Sequence, residues 1–247
     1  QNFPHQSRRN SLSYNVDSAF LENPNGDLVI GTEGGGLNYF NRYSNSFFNE
    51  RHDKSSAGSL SHNNVKSICR DREGNLWVGT YDGGLNLRRK GQQVYEHFRF
   101  DPNVINGLAN NNVYALLEDR HGDIWIGTFG GGLQVQRKNQ KTGYFQTFNV
   151  AGKQLSSNMV RALMEDSKGN LWIGTSNGLN LKIAGTDKFI SFLNHKNDSL
   201  SISGNDIISI HEDRKGQIWI GPYMGGLNRY LPEKKAFKRF NEQNGLP

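Results

Sequence analysis

Gly74-Asn75-Leu76-Trp77-Val78-Gly79-Thr80 decides how this chain is read. The stretch returns as Gly122-Asp123-Ile124-Trp125-Ile126-Gly127-Thr128, as Gly169-Asn170-Leu171-Trp172-Ile173-Gly174-Thr175, and as Gly216-Gln217-Ile218-Trp219-Ile220-Gly221-Pro222. A weaker first copy, Gly26-Asp27-Leu28-Val29-Ile30-Gly31-Thr32, carries Val29 in the tryptophan slot. The second glycine of the motif falls at 31, 79, 127, 174 and 221, in steps of 48, 48, 47 and 47 residues. A period of this length marks a solenoid, a propeller or an array, because one such unit is too short to bury its own apolar face.

Within each repeat the sequence reads as four short strands. In the second repeat, Leu60 to Asn64 is a polar approach loop and Val65 to Arg70 a strand rich in β-branched and small residues. Asp71 to Asn75 is a turn, with the Asp side chain accepting from backbone N–H groups and the Gly supplying positive φ. Leu76 to Thr80 is the second strand, Leu85 to Arg89 the third and Tyr95 to Phe100 the fourth. The turn Asp recurs as Asp119, Asp166 and Asp213, with Asn23 in the first copy. Leu-Trp-Val and Ile-Trp-Ile do not alternate polar with apolar, as expected of a strand buried on both faces. Sustained 3.6-residue apolarity, the sign of a helical solenoid, occurs nowhere.

The fold expected is therefore all-β, a β-propeller of five four-stranded blades over about 12–59, 60–107, 108–154, 155–199 and 200–247. A β-solenoid stack is the rival. Asn244-Gly245-Leu246-Pro247 looks like the approach loop of a further repeat, with Leu246 in the slot of Leu60, Leu108, Leu155 and Leu200, so the chain reads as a segment of a longer array. A single ring over 1–247 is expected, with a dimer joined through open blade faces as the alternative.

Twenty-nine Lys and Arg against 23 Asp and Glu give a net charge of +6, which favours anionic partners without forming a block or stripe of the kind nucleic acid requires. Cys69 is the single cysteine, so no internal disulfide framework exists. No apolar run approaches a membrane span, so this segment is expected to make no direct membrane contact.

The pattern Asp-x-x-Gly-(Asn/Asp)-(Leu/Ile)-Trp-(Ile/Val)-Gly-Thr followed by Gly-Gly-Leu-Asn resembles the two-component regulator propeller repeat. It stands at Asp71–Asn86 and Asp119–Gln134, is one residue shorter at Asp166–Asn180, and has Pro222 for Thr at Asp213–Asn228. The resemblance implies a periplasmic sensor region of a hybrid histidine kinase, a class common in glycan-degrading gut bacteria, whose propellers detect oligosaccharides. It implies that the parent polypeptide is a membrane-anchored kinase, active as a homodimer, whereas this segment has no enzymatic activity. Family members usually have seven blades, often in paired propellers, and five repeats are fewer.

No catalytic or metal-binding motif stands out, and neither a cofactor nor a metal is expected. The repeats provide an internal comparison instead: positions that vary inside a fixed frame are free of the folding constraint. One follows the first residue of the inner strand (Ser18, Lys66, Tyr114, Arg161, Ile208), and another follows the Gly-Thr turn (Glu33, Tyr81, Phe129, Ser176, Tyr223). In a propeller both sets belong to one mouth of the central channel. The candidate ligand-binding residues are accordingly Lys66, Tyr81, Tyr114, Phe129, Arg161 and Tyr223, with aromatic rings stacking on sugars and the cations pairing with sulfate or carboxylate. The competing reading makes the aromatics fillers between blades and leaves the cations merely solvated. His62, Asn63, Asn111, Asn112 and Asn158 in the approach loops serve turn hydrogen bonds on the simpler view. His211 shares the apolar slot of Leu21, Cys69, Leu117 and Met164, which points to a hydrogen-bonded core histidine, and Cys69 reads as a small core residue.

The function expected is an extracytoplasmic, ligand-sensing propeller that binds an anionic oligosaccharide and signals to a distant kinase. The alternatives are a protein-interaction scaffold with no sugar ligand and, third, a propeller lyase or glycosidase. A glycosidase needs two suitably spaced carboxylates, and Glu33 is the only acid in the two variable sets.

Overall fold

A computed structural model of the chain describes residues 11–242 and 246. Among the described residues every element is a β-strand. The first sheet comprises β1 (Asp17–Glu22), β2 (Leu28–Thr32), β3 (Gly36–Asn41) and β4 (Ser46–Glu50), and the second β5 (Val65–Arg70), β6 (Leu76–Thr80), β7 (Leu85–Arg88) and β8 (Glu96–Phe98). The third comprises β9 (Val113–Glu118), β10 (Ile124–Thr128), β11 (Leu133–Gln136) and β12 (Gln146–Phe148). The fourth comprises β13 (Val160–Glu165), β14 (Leu171–Thr175), β15 (Gly178–Lys182) and β16 (Phe189–Phe192), and the fifth β17 (Ile207–Glu212), β18 (Ile218–Pro222), β19 (Leu227–Leu231) and β20 (Ala236–Phe240). In all five the strand order follows the chain. Five up-and-down four-stranded sheets of one repeated sequence are five propeller blades. The chain divides into two compact units, residues 1–126 with 136–145, and residues 127–135 with 146–247.

Each residue of the motif has a task. In the second repeat Gly74 sits at φ +90° in the turn between the first two strands. Asp71 Oδ1 accepts the Asn75 N–H at 2.8 Å, and its Oδ2 accepts the indole N–H of Trp77 at 2.9 Å. Asn75 Oδ1 then accepts the Lys90 N–H at 3.0 Å, tying this turn to the one after the third strand. Asp27, Asp123 and Asn170 make the same tie to Arg42, Lys138 and Ala184. Thr80 Oγ1 donates to the Gly84 carbonyl at 2.9 Å, closing the next turn. Asn86, fully buried, accepts the Ser61 N–H at 2.8 Å and so pins the approach loop to the third strand, as Asn38, Asn180 and Asn228 pin Ser13, Ser156 and Ser203.

The core lies between successive sheets. In the first unit Trp77, Leu85 and Leu87 of the second sheet pack with Val113, Ile124 and Ile126 of the third. In the second unit Trp172, Leu179 and Leu181 pack with Ile207, Ile218 and Ile220. The close approach depends on the motif's second glycine. A Cβ on Gly79 would stand 2.6 Å from Val113 Cγ1, and one on Gly174 2.8 Å from Ile207 Cγ2. The contacted residue in each case opens the next inner strand, so one small residue per repeat sets how tightly neighbouring sheets stack.

Two sequence expectations are corrected. Ile202, not Leu200, fills the buried slot of Leu60, Leu108 and Leu155: Ile202 is fully buried and Leu200 is 48% exposed. Ile202 also restores the spacing of 19 residues to the motif's second glycine that Leu60, Leu108 and Leu155 keep. His211 is exposed rather than a core residue. Its counterparts Cys69 and Met164 pack into the clusters formed with the following sheet, and β17 has no following sheet in the second unit. The same position leaves Trp219 only half-buried, whereas Trp77, Trp125 and Trp172 are buried. Of the closing loop, Asn244, Gly245 and Pro247 lie outside the described residues.

Candidate functional site

The pairing of first and second strands slips at one place in each of four sheets. The register shifts between Asp17 and Ala19, Val65 and Ser67, Val160 and Ala162, and Ile207 and Ser209. The residue left over is Ser18, Lys66, Arg161 or Ile208, the position at which the repeats differ. A bulge takes one residue out of the ladder and re-aims its side chain. The frame thus offers one side chain per bulge that pairing does not constrain.

In the first unit the Lys66 ammonium forms an ion pair with Glu33, the residue after the Gly-Thr turn of the preceding repeat. It also stands 5.5 Å from the ring centroid of Tyr114. Glu33 bridges to Asn64 as a short antiparallel pair, and the Tyr81 N–H donates to the Asn64 carbonyl at 2.9 Å. Tyr81 is 45% exposed. Glu33, Lys66 and Tyr114 form one cluster of acid, cation and ring.

The second unit repeats the chemistry with the order of partners reversed. Arg161 Nη1 lies 3.2 Å from Asp206 Oδ2, and the guanidinium carbon is 5.5 Å from the Phe129 ring centroid. Lys66 has its acid in the preceding repeat and its ring in the following one. Arg161 has its ring in the preceding repeat and its acid in the following one. Arg161 Nε and Asp206 Oδ1 are both buried without a hydrogen-bond partner in the structure. An ordered water is the usual partner of such atoms. Asp206 also accepts the Tyr223 N–H on its carbonyl at 2.7 Å, and Tyr223 is 66% exposed.

Of the six candidates, Lys66 with Tyr114 and Phe129 with Arg161 meet directly, and Tyr81 and Tyr223 flank the two clusters through their backbone N–H groups. Neither cation is merely solvated, since each is matched by a carboxylate of the chain. Asp206 is a candidate residue that the sequence comparison missed. It belongs to a third variable register, one residue ahead of the inner strand (Val16, Asn64, Asn112, Met159, Asp206), which the same comparison would have exposed. Asn63, Asn111 and Asn158 serve the backbone, their side-chain oxygens accepting the N–H groups of His52, Phe100 and Val150 at 2.7 to 2.8 Å. Burial pushes the Cys69 thiol up to about 11, which removes it as a nucleophile near neutral pH. Among the described residues no group of three His, Cys, Asp or Glu side chains is placed to hold a metal ion, and no helix is long and apolar enough to cross a membrane.

The family model for the two-component regulator propeller matches residues 59–82, 107–130, 154–177 and 201–223. The first repeat, with Asn23 and Val29 in place of Asp and Trp, is not among the matched segments. No curated protein matches the sequence. Among solved structures, the extracellular domain of a putative hybrid two-component system from B. thetaiotaomicron is similar at 24% identity and TM-score 0.78, over 92% of this chain and 30% of that one. Virginiamycin B lyase from Staphylococcus aureus is similar at 12% identity and TM-score 0.70, over 99% and 74%. PorZ, a surface component of the type-IX secretion system of Porphyromonas gingivalis, is similar at 17% identity and TM-score 0.66, over 93% and 34%. These likenesses establish the fold, and the chain spans less than a third of the two-component relative. Four of the five blades each carry a segment that matches the two-component regulator propeller repeat, and all five have the four-stranded sheet of a propeller blade.

Proposed function

We propose that this chain is a sensor propeller of an extracytoplasmic, membrane-anchored signalling protein, and that it binds an oligosaccharide at the bulged residues of the inner strands. The observation that carries the reading is the cluster at Arg161. A guanidinium faces an aromatic ring and pairs with an acid, and the Arg161 and Asp206 side chains remain 29% and 34% exposed. A sulfate or carboxylate oxygen would pair with the exposed part of the Arg161 guanidinium, and a sugar hydroxyl would donate to the exposed part of the Asp206 carboxylate. Phe129 supplies apolar ring surface beside them. The repeat family and the fold of the two-component relative support a sensing role. Binding would be passed to a kinase elsewhere in a homodimeric parent by shifting an equilibrium between two states.

Calorimetric titration against neutral, uronic and sulfated oligosaccharides, at low and high salt, tests this. Saturable binding of one class, weakened by Arg161→Ala, supports the site. Anionic ligands should lose affinity with salt, and neutral ones should not. Absence of binding to every sugar favours the protein-scaffold reading, to which the exposed Tyr223, Met224 and Ile208 already lend an apolar surface.

A further inference from the structure

In the first four sheets one hydrogen bond ties the turn after the first strand to the turn after the third, donated by the N–H of Arg42, Lys90, Lys138 or Ala184. In the fifth sheet the donor position is Pro232, which has no N–H. The acceptor position is Gln217, whose Oε1 accepts instead from Arg229 Nη1 at 3.3 Å. The fifth sheet therefore lacks the tie that the other four share, and the turn at Pro232 borders the largest groove described in the second unit. That groove, between the fourth and fifth sheets, holds about 480 Å³, whereas the groove lined by the corresponding residues in the first unit holds about 70 Å³.

The two grooves differ in chemistry at the same positions of the repeat. Arg89, Gln136, Arg137 and Lys138 line the small one, and Ile183, Tyr230, Leu231 and Pro232 stand in their places in the large one. Three cations and an amide have become two aliphatic side chains, an aromatic ring and a proline. The floor is apolar too, since Trp172, Leu181 and Ile218 are buried and Tyr230 meets Trp172 edge-on with ring centroids 4.9 Å apart. Ile183, Tyr230 and Leu231 are only half-buried and Pro232 is exposed, so apolar surface remains open to a ligand. The charged groups of the lining nearly cancel: Asp166, Glu212 and Glu233 stand against Lys168 and Arg229. Asp166 is held by the Trp172 indole N–H at 2.9 Å, and Glu212 by the Ser167 N–H and hydroxyl at 2.7 and 2.6 Å. The Tyr230 hydroxyl has no hydrogen bond to another described residue and is left to serve as a donor. An apolar groove of this size with no net field and one available hydroxyl suits a small neutral molecule.

We propose that the groove between the fourth and fifth sheets is a second binding site, for a small neutral aromatic compound that carries an oxygen acceptor for the Tyr230 hydroxyl. It shares no residue with the Arg161 cluster, so failure of either site leaves the other standing. The test is calorimetric titration of the whole chain with 2-acetylnaphthalene, with naphthalene, 2-naphthoate and glucose for comparison. 2-Acetylnaphthalene should bind saturably, at one site per chain and independently of salt, because no charge is matched. The charged naphthoate and the polar glucose should bind at least roughly tenfold more weakly, since the apolar lining cannot replace their hydration. Tyr230→Phe keeps the ring and should lower affinity for 2-acetylnaphthalene about fivefold while leaving naphthalene unchanged. Ile183→Arg restores the cation of the small groove and should lower affinity for both at least roughly tenfold. Leu231→Arg does the same and serves as the second variant should Ile183→Arg fail to fold. Ile105→Arg, at a side chain 88% exposed in the first unit, should change nothing and separates the groove from unspecific adhesion. Binding that survives Ile183→Arg, or Leu231→Arg where the first variant does not fold, overturns the site. So does equal affinity for 2-naphthoate, an equal effect of Tyr230→Phe on naphthalene, loss with Ile105→Arg, or no binding at all.

Discussion

Trp125 Nε1 donates to Asp119 Oδ2 at 2.8 Å, and the same bond joins Trp77 to Asp71, Trp172 to Asp166 and Trp219 to Asp213 at 2.9 Å. The aspartate is thus both the turn former and the partner that lets an indole be buried between sheets without an orphaned N–H. The first repeat lacks both members together, Asn23 standing for the acid and Val29 for the indole. Trp125→Ala should cost about 3–5 kcal/mol, since it empties a large buried site. Trp125→Phe keeps most of the volume but leaves Asp119 Oδ2 without its partner, and should cost about 1–3 kcal/mol. Urea denaturation of the two variants side by side separates packing from the hydrogen bond. No loss in Trp125→Phe would show that the bond contributes nothing.

Gly79 has ordinary φ, so its requirement is steric. A Cβ there meets Ser67 Oγ at 2.3 Å, Val113 Cγ1 at 2.6 Å and the Val113 carbonyl oxygen at 2.7 Å. Backbone cannot yield as a side-chain tip can, so Gly79→Ala should destabilise by about 1–3 kcal/mol through overpacking. A thermal melt checks it, and an unchanged midpoint would contradict this account of sheet spacing.

Arg88 carries a network within the first unit. Its Nη1 reaches both Glu50 oxygens at 2.9 and 3.1 Å, its Nη2 donates to Tyr39 Oη at 2.8 Å, and Tyr39 Oη donates to Glu50 at 2.8 Å. The Arg88 and Glu50 side chains are each 17% exposed. Arg88→Ala leaves an acid largely buried and unpaired, at a cost of about 3 kcal/mol. Chemical denaturation of R88A, and of R88A with Glu50→Gln, measures it. The double variant should recover part of the loss.

Burial raises the Cys69 thiol from its ordinary 9.0 to about 11. The folded state therefore holds this proton more tightly than the unfolded one. Below pH 9 the group has no effect on stability, and stability falls as pH rises from 9 towards 11. The native thiol should resist alkylation at pH 8 and react once the chain is unfolded in urea. Rapid native labelling would show that Cys69 is accessible.

The repeat announces its own architecture, and the reason is physical. Asp, Gly, Trp and Thr recur because each answers a demand that local geometry makes in every blade. The strands Val65–Arg70 and Leu76–Thr80 were legible to the residue for that reason. The outer strand was less so: Tyr95 to Phe100 was expected and only Glu96–Phe98 pairs, because an outer strand has one neighbour and little burial to define its ends. His211 was misread because the slot is apolar by virtue of the next sheet, which the strand itself does not encode. The variable positions were found by comparing repeats. Their placement on bulges was not, since a bulge is a matter of register between two strands.

The sequence by itself determined the period, the four-strand grammar, the buried second strand and the positions released from the frame, because these follow from turn chemistry and hydrophobic pattern within one repeat. Only the tertiary structure decided which partner each of these cations meets. Lys66 with Glu33, Arg161 with Asp206, and Arg70 with Asn23 each pair across two repeats, from 33 to 47 residues apart. Partners that far apart are chosen by how sheets stack, and the stacking distance is set by glycines whose neighbours lie in the next blade.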